Sequence, residues 1–133
     1  DRGLGKIAYN KFREQLNFHL KTAKEFIVVN ELPIEQYLYG LAEEPSHEPI
    51  QKKHAIYILA RSYIYVYSGT KRKFKTFQYD LEDDPKSSQF YLGYDWEKYH
   101  VDQIHLINQT RGMVLTYNNQ PVIGPYFTQS SGR

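Results

Sequence analysis

The longest apolar stretch of the chain follows Pro49 and runs over residues 50–67, with Arg61 standing in its middle. Residues 55–60 are unbroken, and Ile64, Tyr65, Val66 and Tyr67 continue the run. A helix that is apolar on nearly all sides belongs inside a domain, so the pattern predicts a buried central helix over about 49–67. The β-branched side chains near its end leave a strand open for residues 62–67. Arg61 constrains the fold further. A guanidinium in such a place needs a carboxylate or several carbonyl groups, because an unpaired buried charge costs several kcal/mol.

A length of 133 residues suits one domain with a single core, and no repeat, linker or low-complexity stretch divides it. Residues 130–133 end without a helix or strand terminator, which reads as a piece of a longer protein. Seventeen Lys+Arg against fifteen Asp+Glu leave a formal charge of +2, so there is no electrostatic reason to expect nucleic acid as a partner. No window approaches the ~18 consecutive apolar residues of a membrane span. The absence of cysteine excludes disulfides, thiol catalysis and cysteine-ligated metal within these residues. Thirteen tyrosines supply rings with one hydroxyl each, suited to half-wet clefts as well as core edges.

Around the central segment, residues 8–29 alternate apolar and polar in two blocks and predict two strands, joined by a polar turn at residues 21–24. Pro33 opens a short amphipathic helix carrying Ile34, Tyr37, Leu38 and Leu41. Pro45 ends or redirects that segment just after Glu43 and Glu44. Residues 71–77 alternate basic and aromatic side chains like an exposed edge strand defended by lysines. Residues 79–99 read as a long turn-rich loop, of the kind that is functional or mobile. Residues 101–109 suit a short helix, and residues 113–123 a hairpin about Asn118-Asn119. The resulting class is α+β, with β-hairpins and a small mixed sheet packed around the central helix.

Few motifs carry chemistry by themselves. The five histidines lack the helical spacing of a zinc pair, and the acidic run Asp80, Glu82, Asp83, Asp84 lacks the glycine and closing glutamate of a calcium loop, so no metal is expected. Phosphate loops, dinucleotide fingerprints and serine-hydrolase elbows are missing. Glu43 and Glu44 at a helix end are ordinarily solvated, and spacing alone gives them no catalytic role.

The order of several short motifs is more specific. Residues 26–40, reading FIVVNELPIEQYLYG, closely resemble the "VVNELPLEDYLYG" signature of the SpoIID/LytB family of bacterial peptidoglycan proteins, which includes sporulation lytic transglycosylases and amidase enhancers. Glu43-x-Pro45, Pro49, Ala60-Arg61-Ser62-Tyr63, Gln89-Phe90-Tyr91-x-Gly93, Thr110-Arg111-Gly112-x-Val114-Leu115-Thr116-Tyr117, Pro121 and Ser130-Ser131-Gly132 follow in the family's order. The resemblance implies a SpoIID-like domain with Glu43 as catalytic acid and Arg61 as the arginine important for activity. The stretch between Gly40 and Glu43 is about two residues shorter than the family's usual one. The zinc ligands of some sporulation members have no counterpart in residues 80–88, so no cofactor is carried over.

A lytic transglycosylase needs only one carboxyl group. The C6 hydroxyl of N-acetylmuramic acid attacks its own anomeric carbon and closes a 1,6-anhydro ring, where an ordinary glycosidase uses a second carboxylate. The resemblance therefore implies Glu43 serving twice, as acid and then as base. Arg61 is expected to bind Glu44, a backbone carbonyl or substrate at least as readily as Glu43. Glu44, Tyr63, Gln89, Tyr126, Ser130 and Ser131 are the implied glycan contacts. The implied partners are peptidoglycan glycan strands and other cell-wall hydrolases, at an extracytoplasmic location, in the wall or tethered to the membrane through sequence upstream. A non-catalytic wall-binding or amidase-enhancing module on the same fold is the second reading, and a tyrosine-rich protein-interaction domain the third.

Overall fold

The alternation in the first third of the chain produces one antiparallel ribbon. A computed structural model describes residues 9–43, 47–69 and 72–125, and in it β1 (Gln15–Thr22) pairs with β2 (Glu25–Glu31) in a register that sets Phe18 opposite Val28 and Leu20 opposite Phe26. The turn falls at Ala23 and Lys24, where the Thr22 hydroxyl accepts the Lys24 N–H at 3.3 Å. Phe18, Leu20, Phe26 and Val28 share one face of the ribbon and are exposed, the Phe18 and Phe26 rings tilted against each other at 6.1 Å.

Pro33 then turns the chain into α1 (Ile34–Tyr39), a helix of six residues that ends at Gly40. Its last carbonyls are not left unsatisfied: the Gln103 amide donates to Leu38 O at 3.1 Å and to Leu41 O at 2.7 Å. α2 (Ile50–Ser68) is the long helix the apolar run predicts, and it continues through residues 62–67 instead of changing to a strand. Ser62 and Ser68 return their hydroxyls to the carbonyls of Ile58 and Ile64, a bond that a helix offers and a strand does not. α3 (Tyr94–Tyr99) and α4 (Val101–Gln109) follow, then the small hairpin of β3 (Thr116–Tyr117) and β4 (Gln120–Pro121). Asn118 and Asn119 hold φ of 48° and 58°, as the two central positions of its turn require.

Leu38, Leu41, Tyr57, Ala60, Ile64 and Ile107 form the core, so α1, α2 and α4 meet around the middle of α2. The class is α+β, with hairpins beside a helix whose middle is buried. Both ribbons are antiparallel two-stranded pairs, where a small mixed sheet was expected. Short turns can join only antiparallel neighbours, and no crossover brings a third strand to either ribbon among the described residues.

Two expectations are corrected. Residues 72–78 form turns and not an edge strand. The rings of Phe74, Phe77 and Tyr79 pack on one another at 5.1–6.5 Å, and Arg72 folds back to Asp80 at 2.8 Å, so this segment satisfies itself locally. The second correction is α3, which lies within the segment read as a loop. Six residues are too few for a helical period to stand out. Its acidic side chains face inward: Asp95 accepts the backbone N–H groups of Asn10 and Lys11, and Glu97 accepts Arg13 Nε at 2.7 Å. α3 thus holds residues 10–13 against the body.

Gly93, at the start of α3, has φ of +76°, and a Cβ there would lie 2.7 Å from the Lys11 carbonyl oxygen. Gly93→Ala is expected to cost about 1–3 kcal/mol in a urea-unfolding measurement, through strain at positive φ and the displaced Lys11 backbone.

The Arg13–Glu97 pair makes stability depend on pH. Burial raises the Glu97 pKa above its ordinary value, and the Arg13 hydrogen bond and charge oppose this only in part. Only one carboxylate oxygen meets Arg13, and Oε1 has no hydrogen-bond partner among the described residues. The folded state therefore holds the proton more tightly than the unfolded chain. The resulting stabilisation is complete below the ordinary value of about 4.5 and is lost as pH rises through the raised one. Glu97→Gln is expected to remove this slope, so that stability measured against pH falls in the native chain across that window and not in the variant.

Candidate functional site

A short antiparallel contact carries the chain out of α1. Leu41 bridges Tyr91, Leu92 N–H donates to Gly40 O, and Ala42 N–H donates to Phe90 O, each bond 2.8 Å long. Glu43 comes next, half-buried, and its Oε1 accepts the Phe90 N–H at 2.9 Å. The side chain thus extends the pairing by one bond beyond the backbone, and this fixes the direction of the carboxylate.

Glu43 lines a cleft of about 610 Å³. Ala55, Ile56, Leu59 and Tyr63 of α2 contribute one side, residues 88–90 and Pro85 a second, and Ile123, Gly124 and Pro125 a third. Gly124 comes so near α2 that a Cβ would stand 2.4 Å from Leu59 Cδ2, so a larger residue there would require the Leu59 side chain to shift. The structure therefore gathers Glu43, Tyr63 and Gln89, which lie far apart in sequence, around one cavity. Glu44, Tyr126, Ser130 and Ser131 lie outside the described residues.

Two charged residues of the cleft were not singled out from the sequence. Glu48 and Lys52 also line it and bond to each other at 2.6 Å, an i,i+4 pair at the start of α2. A further addition lies behind Tyr63. Lys73 Nζ donates to the Tyr63 hydroxyl oxygen at 3.1 Å and to the Ser87 carbonyl, and stands 5.7–5.8 Å from the ring centroids of Tyr63, Tyr67 and Phe74.

Arg61 lies elsewhere. Residues two apart on a helix are separated by about 200°, so a helix that turns Tyr63 toward the cleft turns Arg61 away from it. Arg61 is 2% exposed. Its Nε and Nη2 bond the two carboxylate oxygens of Glu35 on α1 at 2.9 and 3.0 Å, and its remaining hydrogens go to the carbonyls of Met113 at 3.0 Å, Ile107 at 3.4 Å and Tyr57 at 3.5 Å. Five donors have five acceptors. Carbonyls are among the partners expected for Arg61, and the carboxylate is Glu35, whose place in the first turn of α1 was the signal available for it. Glu35 Oε1 accepts the Gly112 N–H at 3.1 Å as well. The Ser62 hydroxyl accepts the Leu115 N–H at 2.7 Å, and Val122 N–H returns to Leu115 O at 3.0 Å. Arg61, Glu35 and Ser62 together pin residues 112–115, and the hairpin that follows delivers residues 123–125 to the cleft.

Among the described residues no three His, Asp or Glu side chains gather as a metal ion would require, and no helix is long and apolar enough to cross a membrane.

In a scan against protein families, the SpoIID model, described as Stage II sporulation protein, matches residues 22–117, more than half of the chain. That range contains Glu43, Arg61, Tyr63 and Gln89. No curated protein and no solved structure matches the chain.

Proposed function

The chain belongs to the SpoIID family, sporulation-related proteins of the cell wall, and on that premise we propose that it is a lytic transglycosylase acting on peptidoglycan glycan strands. The reading is supported chiefly by the position of Glu43 on the wall of the 610 Å³ cleft, beside Tyr63 and Gln89. The protonated Glu43 carboxyl gives its proton to the glycosidic oxygen as the bond from the muramic anomeric carbon to that oxygen breaks. The C6 hydroxyl oxygen of the same muramic ring bonds to the anomeric carbon, and its proton passes to the Glu43 carboxylate. The acid is regenerated, no water is consumed, and the products are a free 4-hydroxyl and a 1,6-anhydro end. The second carboxylate of the cleft, Glu48, is engaged by Lys52, which suits a mechanism that asks for one.

Arg61 acts in this reading as a positioning residue, through the segment it pins. Glu44, Tyr126, Ser130 and Ser131 are further glycan contacts by resemblance, and the site of action is the extracytoplasmic wall, with cell-wall hydrolases as working partners. One observation favours the second reading, a glycan-binding or amidase-enhancing module: a carboxylate that accepts a backbone N–H, as Glu43 does from Phe90, also serves as a purely structural tie.

The test is product analysis by mass spectrometry after incubation with purified glycan strands. New 1,6-anhydro ends are the expected result. Their absence, with the protein still sedimenting with sacculi, overturns catalysis in favour of the module, and failure to sediment overturns both.

A further inference from the structure

A phenol has one proton to give and lone pairs to receive. In Tyr63 an oxygen lone pair is taken by Lys73 Nζ at 3.1 Å, and a cation at that oxygen strengthens the O–H as a donor. Lys73 is itself held in place, by the Ser87 carbonyl and by the rings of Tyr63, Tyr67 and Phe74, with the Tyr63 and Tyr67 rings edge to face at 4.6 Å. The arrangement leaves Tyr63 a donor on a surface that Glu43 shares.

Resting on the glycan reading above, we propose that Tyr63 is a specificity-determining residue that donates its hydroxyl proton to the carbonyl of a sugar's 2-acetamido group, and that Lys73 is the positioning residue that keeps it a donor. The acetamido carbonyl accepts hydrogen bonds and cannot donate one, so it matches a donor on a cleft whose apolar parts, Ile56, Leu59 and Phe90, can meet the acetamido methyl. A 2-hydroxyl carries its own proton and no carbonyl, and is the poorer fit. The cleft thereby separates N-acetylated β-1,4 glycans from plain β-1,4 glucans.

The experiment is calorimetric titration of the full chain with two neutral probes, the β-1,4 tetramer of N-acetylglucosamine and cellotetraose, which differ only at carbon 2. The native chain is expected to prefer the N-acetylated tetramer by about tenfold, the size of one well-placed hydrogen bond. Tyr63→Phe brings the ratio to within about twofold of unity, Lys73→Met lowers it in the same direction, and Lys73→Arg retains it. The ratio is the readout, so a change in affinity common to both tetramers cancels.

Were Lys73 only a tie between α2 and the 85–90 wall, both sugars would weaken alike and the ratio would stand, which overturns the proposal. So does a Tyr63→Phe ratio equal to the native one, a measurement that remains decisive if Lys73→Met does not fold. A native ratio near unity while 1,6-anhydro ends still form overturns this inference and leaves transglycosylation standing. A retained ratio without anhydro products does the reverse, and no binding of either tetramer overturns the inference together with the glycan reading.

Discussion

Glu43→Gln is expected to lower the release of 1,6-anhydro ends from purified glycan strands by roughly 10²–10⁴-fold, the range lost when a positioned general acid–base group is removed. The substitution is chosen for what it preserves. A glutamine carbonyl oxygen can accept the Phe90 N–H that Glu43 Oε1 accepts at 2.9 Å, so the contact between the segment after α1 and residues 90–92 persists. Unfolding free energies should then agree to within about 0.5 kcal/mol, as for a substitution that leaves packing and bonds intact. Glycan affinity should change little, because a neutral amide still occupies the cleft wall. A variant that keeps the native rate would assign Glu43 to the structural tie and end the single-carboxyl mechanism. Glu43→Ala is the complementary control: it removes the acceptor of the Phe90 N–H and should lower stability by about 1 kcal/mol besides.

The second large effect is on the fold. Glu35→Ala leaves the Arg61 guanidinium buried with carbonyls alone and removes the acceptor of the Gly112 N–H, so a loss of about 3–5 kcal/mol is expected from chemical unfolding. Against a typical total of about 5–15 kcal/mol, that is enough to unfold much of the population. The cost comes from stranding a charge, not from losing a favourable pair. The double replacement Glu35→Leu with Arg61→Met, which removes both charges and keeps the volume apolar, is expected to recover most of the stability. The same variant tests the pinning role: it lacks the bonds to Met113 O and from Gly112 N–H, so transglycosylation is expected to stay low after stability returns. Turnover that returns in full with stability would assign Arg61 to the fold alone.

Much of the architecture could be read from local pattern. The apolar run after Pro49 specified a long helix, and α2 occupies residues 50–68 with its middle buried and its first turn exposed. The first ribbon followed from alternation, and the second from two asparagines able to hold positive φ. α3 escaped notice because what stabilises it is distant: Asp95 and Glu97 bond residues 10, 11 and 13, more than eighty positions earlier. The basic and aromatic residues at 72–77 alternate as a strand would, yet a strand also needs a neighbour, and their rings found one another first.

The site divides in the same way. Glu43, Tyr63 and Gln89 were named by the order of short motifs and meet at one cleft. Glu48 and Lys52 carry no motif and Lys73 was read only as part of an edge strand, and their relevance depends on standing beside that cleft or at its tyrosine.

By itself, then, the sequence determined most of the elements and the demand of Arg61 for a buried counter-charge, because these depend on periodicity within an element and on the desolvation of a single group, while the candidate acid was named by the resemblance of its motifs. Only the tertiary structure decided that Glu35 meets that demand, that Arg61 faces away from the cleft, and that Lys73 meets the Tyr63 hydroxyl. A helical period says which residues share a face of one helix, and the packing of α1, α4 and residues 72–90 against α2 says what lies across from each face.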